Sequence, residues 1–404
     1  MSIARYWHSA TLLPDGRVLI AGGDVPSPQT TGTNTAEIYD PATGSFNVTA
    51  PTMSGHICQQ SVLLNNGQVL LVGGADGNNE VGDHSPELYN PATGTFSSAG
   101  SLPVAYASNT CQGVAATLLA SGKVLLVWEE SYAQIYDPAT QTFTATGVPN
   151  PFGYGDGLPS STLLMDGSVL VAGGYWDGGI FNTAYTFDEA SGVFTATADM
   201  STGHVDDTAT LLPDGSVLVA GSCSAGLYPI PDSDLYDPAS RMFSRAFNMV
   251  MPRCWQTATL LNGGQVLITG GFTGTPYPST STAELYYPNT LIPAPVLYTE
   301  GAPNQGAALH AGTSRLVTAA DPALPGEAIE IYGAGLSEGA VIPPQVSIGG
   351  RASQVLFFGD APSYSGLNQV NVVVPSGITP GGAVPVVLYY LGRPSNAVTI
   401  GVSQ

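Results

Sequence analysis

The stretch SATLLPDGRVLIAGG, Ser9 to Gly23, has a near copy in TATLLPDGSVLVAGS, Thr208 to Ser222. Weaker copies read QSVLLNNGQVLLVGG, SSTLLMDGSVLVAGG and TATLLNGGQVLITGG. Each is a pair of short apolar runs around a tight turn such as Pro-Asp-Gly, the signature of a two-stranded hairpin. The hairpin glycine recurs at Gly16, Gly67, Gly122, Gly167, Gly215 and Gly264. A second motif, AEIYDPATG, supplies an aromatic at Tyr39, Tyr89, Tyr136, Phe187, Tyr236 and Tyr286, spaced 47 to 51 residues apart. A third aromatic follows at Phe46, Phe96, Phe143, Phe194 and Phe243. There are therefore six repeats, each with four strand-like pieces. A lone four-stranded sheet cannot bury both faces, so the repeats are expected to form a six-bladed β-propeller whose ring supplies the core.

Composition agrees with this all-β reading. Only 10% of residues are charged, whereas 50 are Gly and 32 Pro, a profile of short strands and many turns. The net charge is −21, with nine Lys plus Arg, so phosphate backbones and anionic lipid surfaces would repel the chain. No nucleic-acid partner is expected. No run of 18 apolar residues could span a membrane, and MSIARYWHSA lacks the apolar core of a secretory leader. An upstream leader removed on export remains compatible with this start.

The pattern Leu-x-x-Gly-x-Val-Leu-x-x-Gly-Gly, then Glu-x-Tyr-Asp-Pro and a Phe, resembles the kelch repeat, with Phe where that family often has Trp. The resemblance covers roughly residues 1–298. Blade 3 departs from it, with LLVWEES in place of Gly-Gly, and blade 6 lacks the third aromatic. The segment APVLY, Ala294 to Tyr298, is the candidate outer strand of blade 6. From about Gln305 the pattern changes to alternating runs such as GEAIEIYGAGL and QVNVVVPSGI, which read as a small β-sandwich. It resembles the immunoglobulin-like C-terminal domains of bacterial secreted proteins. The expected domains are thus residues 1–300 and 301–404. A kelch propeller followed by such a domain also occurs in relatives of galactose oxidase and glyoxal oxidase.

If the strands of each blade are named a to d, the a–b and c–d turns are tight and share one face. The long, varied b–c loops lie on the other face, and function on a rigid scaffold concentrates in such loops. This mouth is the candidate site. Eleven positions before each hairpin glycine, strand a begins with Arg5, His56, Cys111, Asp156, His204 and Arg253. These six are expected to ring the opening, with Arg5 and Arg253 adjacent where blade 6 meets blade 1. Paired guanidiniums suit a carboxylate or another anionic ligand. Asp156, His204, Asp206 and Asp207 could act as acid and base or hold a divalent metal, although GHVDD has no diagnostic ligand spacing. The plainer alternatives are salt bridges with the chain's own carboxylates and a hydrogen-bonded structural cluster.

All four tryptophans fall near the same mouth. Trp7 and Trp255 stand at the start of strand a, and Trp128 and Trp176 where strand b ends, followed by Glu129 and flanked by Tyr175. Such side chains suit stacking on sugar rings or peptide side chains, or packing between blades. Cys58 and Cys111 start neighbouring a strands, and Cys223 and Cys254 join blades 5 and 6, so two disulfides are geometrically reasonable. Free buried thiols are the alternative.

The copper radical oxidases with this architecture need two histidines, two tyrosines and a cysteine cross-linked to one tyrosine. One tyrosine ligand is directly followed by a histidine, and no Tyr-His pair occurs here. His310 is the one tempting carry-over. An epimerase- or mutarotase-like enzyme would need only mouth acids, bases and arginines. The reading requiring least special geometry is a secreted, monomeric binding protein, extracellular or periplasmic, that recognises a glycan or peptide at the mouth. Its cofactor requirement is left open.

Overall fold

The computed structural model describes residues 1–25, 32–74, 85–102, 114–128, 133–146, 159–176, 179–224, 228–261, 263–274, 279–288, 293–336, 340–362, 364 and 366–404. No helix occurs among them. Five four-stranded antiparallel meanders and one three-stranded sheet follow in chain order. Blade 1 is Ser9–Leu12, Val18–Ala21, Ala36–Asp40 and Ser45–Val48, and blade 2 is Gln60–Leu63, Val69–Val72, Glu87–Asn90 and Thr95–Ser98. Blade 3 runs from Val114–Leu118 to Thr142–Ala145, blade 4 from Ser160–Leu163 to Val193–Ala196, and blade 5 from Thr208–Leu211 to Met242–Arg245. Blade 6 has three strands, Thr257–Leu260, Val266–Thr269 and Ala283–Tyr286. The a strands of successive blades approach one another, which places them innermost around the propeller axis.

The hairpin glycines do what the sequence requires of them. All six have φ between 82° and 88°, a region open to glycine at no steric cost, so the a–b turn closes over three residues, Pro14 to Gly16 between Leu13 and Arg17 in blade 1.

Alternation along the strands gives each blade two apolar faces. Leu19, Ala21 and Ile38 of blade 1 pack on Val69, Leu71 and Tyr89 of blade 2, and the same rows meet at the next four junctions. Tyr89, Tyr136, Phe187 and Tyr236 are at most 1% exposed, and each packs on the following Phe at 4.7–4.9 Å between ring centroids. Burying an aromatic of this size contributes about 1.5–3 kcal/mol, so these side chains account for much of the blade-to-blade adhesion.

Two five-stranded sheets form the C-terminal sandwich around Val317, Ile329, Val372, Val386 and Ile400. The expected outer strand of blade 6 belongs here instead. Val296–Leu297 pairs with Ala328–Ala334, because Leu297, 3% exposed, is taken up by the sandwich core. The sandwich rests on the a–b turn face. Ala352 lies against the Gly16 turn, Val341 against the Gly167 turn, and Gly392 against Leu260 and Leu261. Gln354 Nε2 donates to Asn65 O at 3.2 Å.

Candidate functional site at the propeller mouth

The cations expected to ring the mouth turn back into their own blades. Arg5 donates to Gly22 O at 2.7 Å and Thr35 O at 2.9 Å, and lies 3.5 Å from Glu37. Arg253 makes the same set in blade 6, with Gly270 O, Thr282 O and Glu284 at 2.8 Å. His56 pairs with Glu87 at 2.8 Å and His204 with Asp234 at 3.2 Å. All four are buried, from 7% exposed for Arg5 to 0% for His204 and Arg253. The carboxylate also accepts from the backbone N–H three residues before the cation, contributed by Ser2, Met53, Ser201 and Val250. This is one motif repeated in four blades, so Arg5 and Arg253 do not form the expected pair facing an anion. Its sequence signal was available: an acid two residues before the second-motif aromatic accompanies a cation eleven before the glycine. Blades 3 and 4 have neither, pairing Cys111 with Gln134 and Asp156 with Tyr185 at these positions.

Burial and pairing set the protonation of these groups. Burial lowers the Arg5 pKa despite Glu37, and the Ser2 hydroxyl and N–H with Arg5 hold Glu37 below the usual range against its own burial. For His204, burial alone would favour the neutral ring, but Asp234 and the charge of Asp207 outweigh it and raise the pKa.

What the mouth exposes lies two residues further along. Trp7, Cys58, Asp206 and Trp255 occupy the same repeat position and all have φ between 54° and 60°. Adjacent rims are tied through this position, Cys58 N donating to Trp7 O at 3.0 Å and Trp255 N to Asp206 O at 3.3 Å. A left-handed backbone at a non-glycine residue costs about 1–2 kcal/mol, and it turns the side chain out of the blade. Trp7 is 54% exposed beside Tyr6, itself 44% exposed, and Trp255 is 49% exposed against Phe272. The Tyr6 hydroxyl donates to Asp24 Oδ2 at 2.5 Å, while Asp24, 1% exposed, has no hydrogen bond on Oδ1.

Two acids complete the blade 5 side of the rim. Burial pushes Asp206 up to about 6, opposed by a hydrogen bond from Trp255 and reinforced by Asp207. Burial likewise pushes Asp207 up to about 6, opposed by the His204 charge and the nearby Ser160 hydroxyl. Neither Asp207 oxygen has a hydrogen bond of ordinary length. In blades 2 and 6 the same repeat position holds Gln59 and Gln256, whose amides donate to Ala21 O and Ala220 O of the preceding blade. An ionised aspartate has no proton to offer there.

Other expected site residues go elsewhere. Trp128 is 4% exposed and belongs to the core between blades 2 and 3, because strand b carries it into the interblade row. Tyr175 packs on Val205, Cys223, Cys254 and Phe272, and Trp176 forms a two-residue hairpin strand with it. Glu129, Asp156 and Cys111 lie outside the described residues. Cys223 and Cys254 are joined with Cα atoms 5.3 Å apart, and Cys58 is also disulfide-bonded. His310 bonds Glu327 through Nδ1 and Asp321 O through Nε2 within the sandwich.

No protein-family model and no curated protein matches the chain. Among solved structures, it is similar to a novel fungal alcohol oxidase with catalytic diversity among the AA5 family, in complex with copper. The identity is 17%, the TM-score 0.61, and the match covers 99% of this chain and 86% of that one. The likeness establishes the fold. The donor set for copper does not follow it: His56, His204 and His310 are each engaged by a carboxylate, and no Tyr-His pair exists. Among the described residues no three His, Cys, Asp or Glu side chains are grouped to hold a metal ion.

Proposed function

We propose that this chain is an extracellular or periplasmic protein whose propeller mouth binds a sugar or other polyhydroxylated ligand. The observation that carries this reading is the pair of half-exposed tryptophans, Trp7 and Trp255, held at equivalent rim positions by a left-handed backbone. Strained backbone and exposed aromatic surface persist where function needs them, and indole faces stack on the apolar faces of sugar rings. Tyr6, 44% exposed, stands next to Trp7 with its hydroxyl oriented by Asp24, where it can meet hydroxyl groups. An anionic ligand loses its main support, since both rim arginines are satisfied within their blades. The Cys223–Cys254 disulfide supports an oxidising compartment. Glycan-array and calorimetric binding tests this reading: Trp7→Gly and Trp255→Gly should each weaken binding at least tenfold, and unchanged binding would sink it.

A second reading, proton-transfer chemistry on the bound ligand, is favoured by one observation. Asp206 and Asp207 sit near pKa 6 beside the rim, where a carboxyl can both give and take a proton near neutrality. The likeness to an alcohol oxidase supports an enzyme acting on a sugar or small carbonyl compound, without the copper step. Turnover of such compounds by purified protein, lost in Asp207→Asn, would establish it.

A further inference from the structure

Along the sandwich strand Ala328–Ala334, Ile329 and Ile331 face the core, while Glu330 and Tyr332 face outward. The register builds two outward rows on this alternation. Tyr332 stands between Tyr298 and Gln369, with Gly359 next to Gln369 on the edge strand Val355–Asp360. Glu330 stands between Leu309 and Asn371, with Phe357 next to Asn371. On an outward face the amide should be wet and the aromatics covered, yet Gln369 is only 8% exposed while Tyr298 and Phe357 are each 41% exposed. The Phe357 ring reaches along its strand to 4.0 Å from where a Cβ on Gly359 would stand, so the glycine makes room for it. Tyr364, 66% exposed, belongs to the same patch. The Tyr332 hydroxyl feels it: its pKa is pushed up to about 12 by burial first, then by Glu330 and then by Tyr364. The polar groups among these rings are held in place. Tyr332 Oη donates to Glu330 Oε2 at 2.9 Å, Gly312 N donates to Glu330 Oε1 at 2.9 Å, and Gln369 Nε2 donates to Asn371 Oδ1 at 2.8 Å. The Asn371 amide nitrogen itself donates to no partner among the described residues.

We propose that this outer face of the sandwich is a second binding site, built for a neutral oligosaccharide chain. Aromatic faces stack on the apolar faces of sugar rings, and fixed amides and carboxylates bond to their hydroxyls. The composition of the two rows selects this ligand over others. Glu330 is their one charged residue, so an anion finds no cation there. An apolar partner, whether protein or lipid, would strip water from Glu330, Gln369 and Asn371 without replacing its hydrogen bonds, at about 1–3 kcal/mol for each group. Sugar hydroxyls replace those bonds. From Tyr298 to Gly359 the sheet advances by three strand spacings, about 14 Å. That span exceeds a single sugar ring and calls for several linked ones. The site lies on the sandwich alone and does not depend on what the propeller mouth binds.

The test uses the full chain carrying Trp7→Gly and Trp255→Gly, so that a failure of the mouth and a failure of this face are read separately. That chain should bind at least one of cellulose, chitin and amylose in co-sedimentation and affinity electrophoresis. Adding Tyr298→Ala or Tyr364→Ala, both at exposed positions, should weaken that binding at least fivefold while the circular dichroism spectrum stays unchanged. Binding to none of the three polysaccharides, or binding indifferent to both substitutions, overturns the proposal. Uptake of tetramethylammonium that both substitutions abolish, with no polysaccharide bound, also overturns it, in favour of a cationic ligand.

Discussion

The His204 imidazole lies 3.2 Å from the Asp234 carboxylate in the place that the Arg253 guanidinium holds, 2.8 Å from Glu284, one blade further on. The repeat thus accepts two cations at one position, and the two differ in how pH acts on them.

Replacing His204 by Arg should preserve the fold, whereas His204→Ala should cost about 3–5 kcal/mol, because it strands a buried Asp234 charge. The His204 pKa is raised in the folded state, so its contribution is complete below the unfolded value of 6.5 and is lost as pH rises through the folded one. The Asp234 pKa is lowered, so its contribution holds above 3.8 and is lost as pH falls through the folded value. Urea midpoints measured between pH 7 and 9, above the titration of Asp206 and Asp207, should therefore show a decline with rising pH for the natural chain and none for His204→Arg.

Asp207 has the opposite sign. Its folded pKa of about 6 exceeds the ordinary 3.8, so its ionised form destabilises the fold above pH 6 and the penalty disappears as pH falls toward 4. Asp207→Asn should raise stability at pH 7 by about 1–3 kcal/mol and flatten the acid limb of the profile. A lower denaturation midpoint at pH 7 would contradict this account.

These pairs also show how far the sequence could be read. Six repeats, the hairpin turns, the interblade aromatics and the change of pattern near Gln305 were all legible, because each rests on local alternation and glycine geometry. The mouth was legible only as a face. Arg5 and His204 were assigned to the opening because strand a begins there, but the direction of a side chain depends on the partner across the blade. Reading Glu37 and Asp234 together with them would have turned them inward. Trp7 and Trp255 stand exposed at the rim, on the face where strand a begins. Their left-handed backbone leaves no mark in residue type.

At Tyr136 the hydroxyl is buried without a hydrogen bond, and its pKa is pushed up to about 12 by burial first and the charge of Asp137 second. Blade 4 has Phe187 at the same position. Tyr136→Phe should therefore be neutral or stabilising by about 1 kcal/mol, as measured by equilibrium denaturation. A loss of more than that would reveal a partner for the hydroxyl.

The Cys223–Cys254 bond closes a loop of 31 residues between blades 5 and 6. Its removal in a Cys223→Ala, Cys254→Ala double variant should cost about 3–4 kcal/mol in the chain-entropy account. Calorimetry under oxidising and reducing conditions would register a loss on reduction that is larger in the natural chain than in the variant by this amount, the variant keeping only the disulfide of Cys58.

The seating of the sandwich has a kinetic meaning. It touches hairpin turns of blades 1, 2, 4 and 6 and so lies across the axis on the face opposite the rim. Whatever reaches the rim tryptophans must leave by the door through which it came. A long polymer can be gripped at an end or a side branch, but it cannot be threaded through the ring. Any action on such a polymer therefore proceeds by release and rebinding rather than by sliding along it.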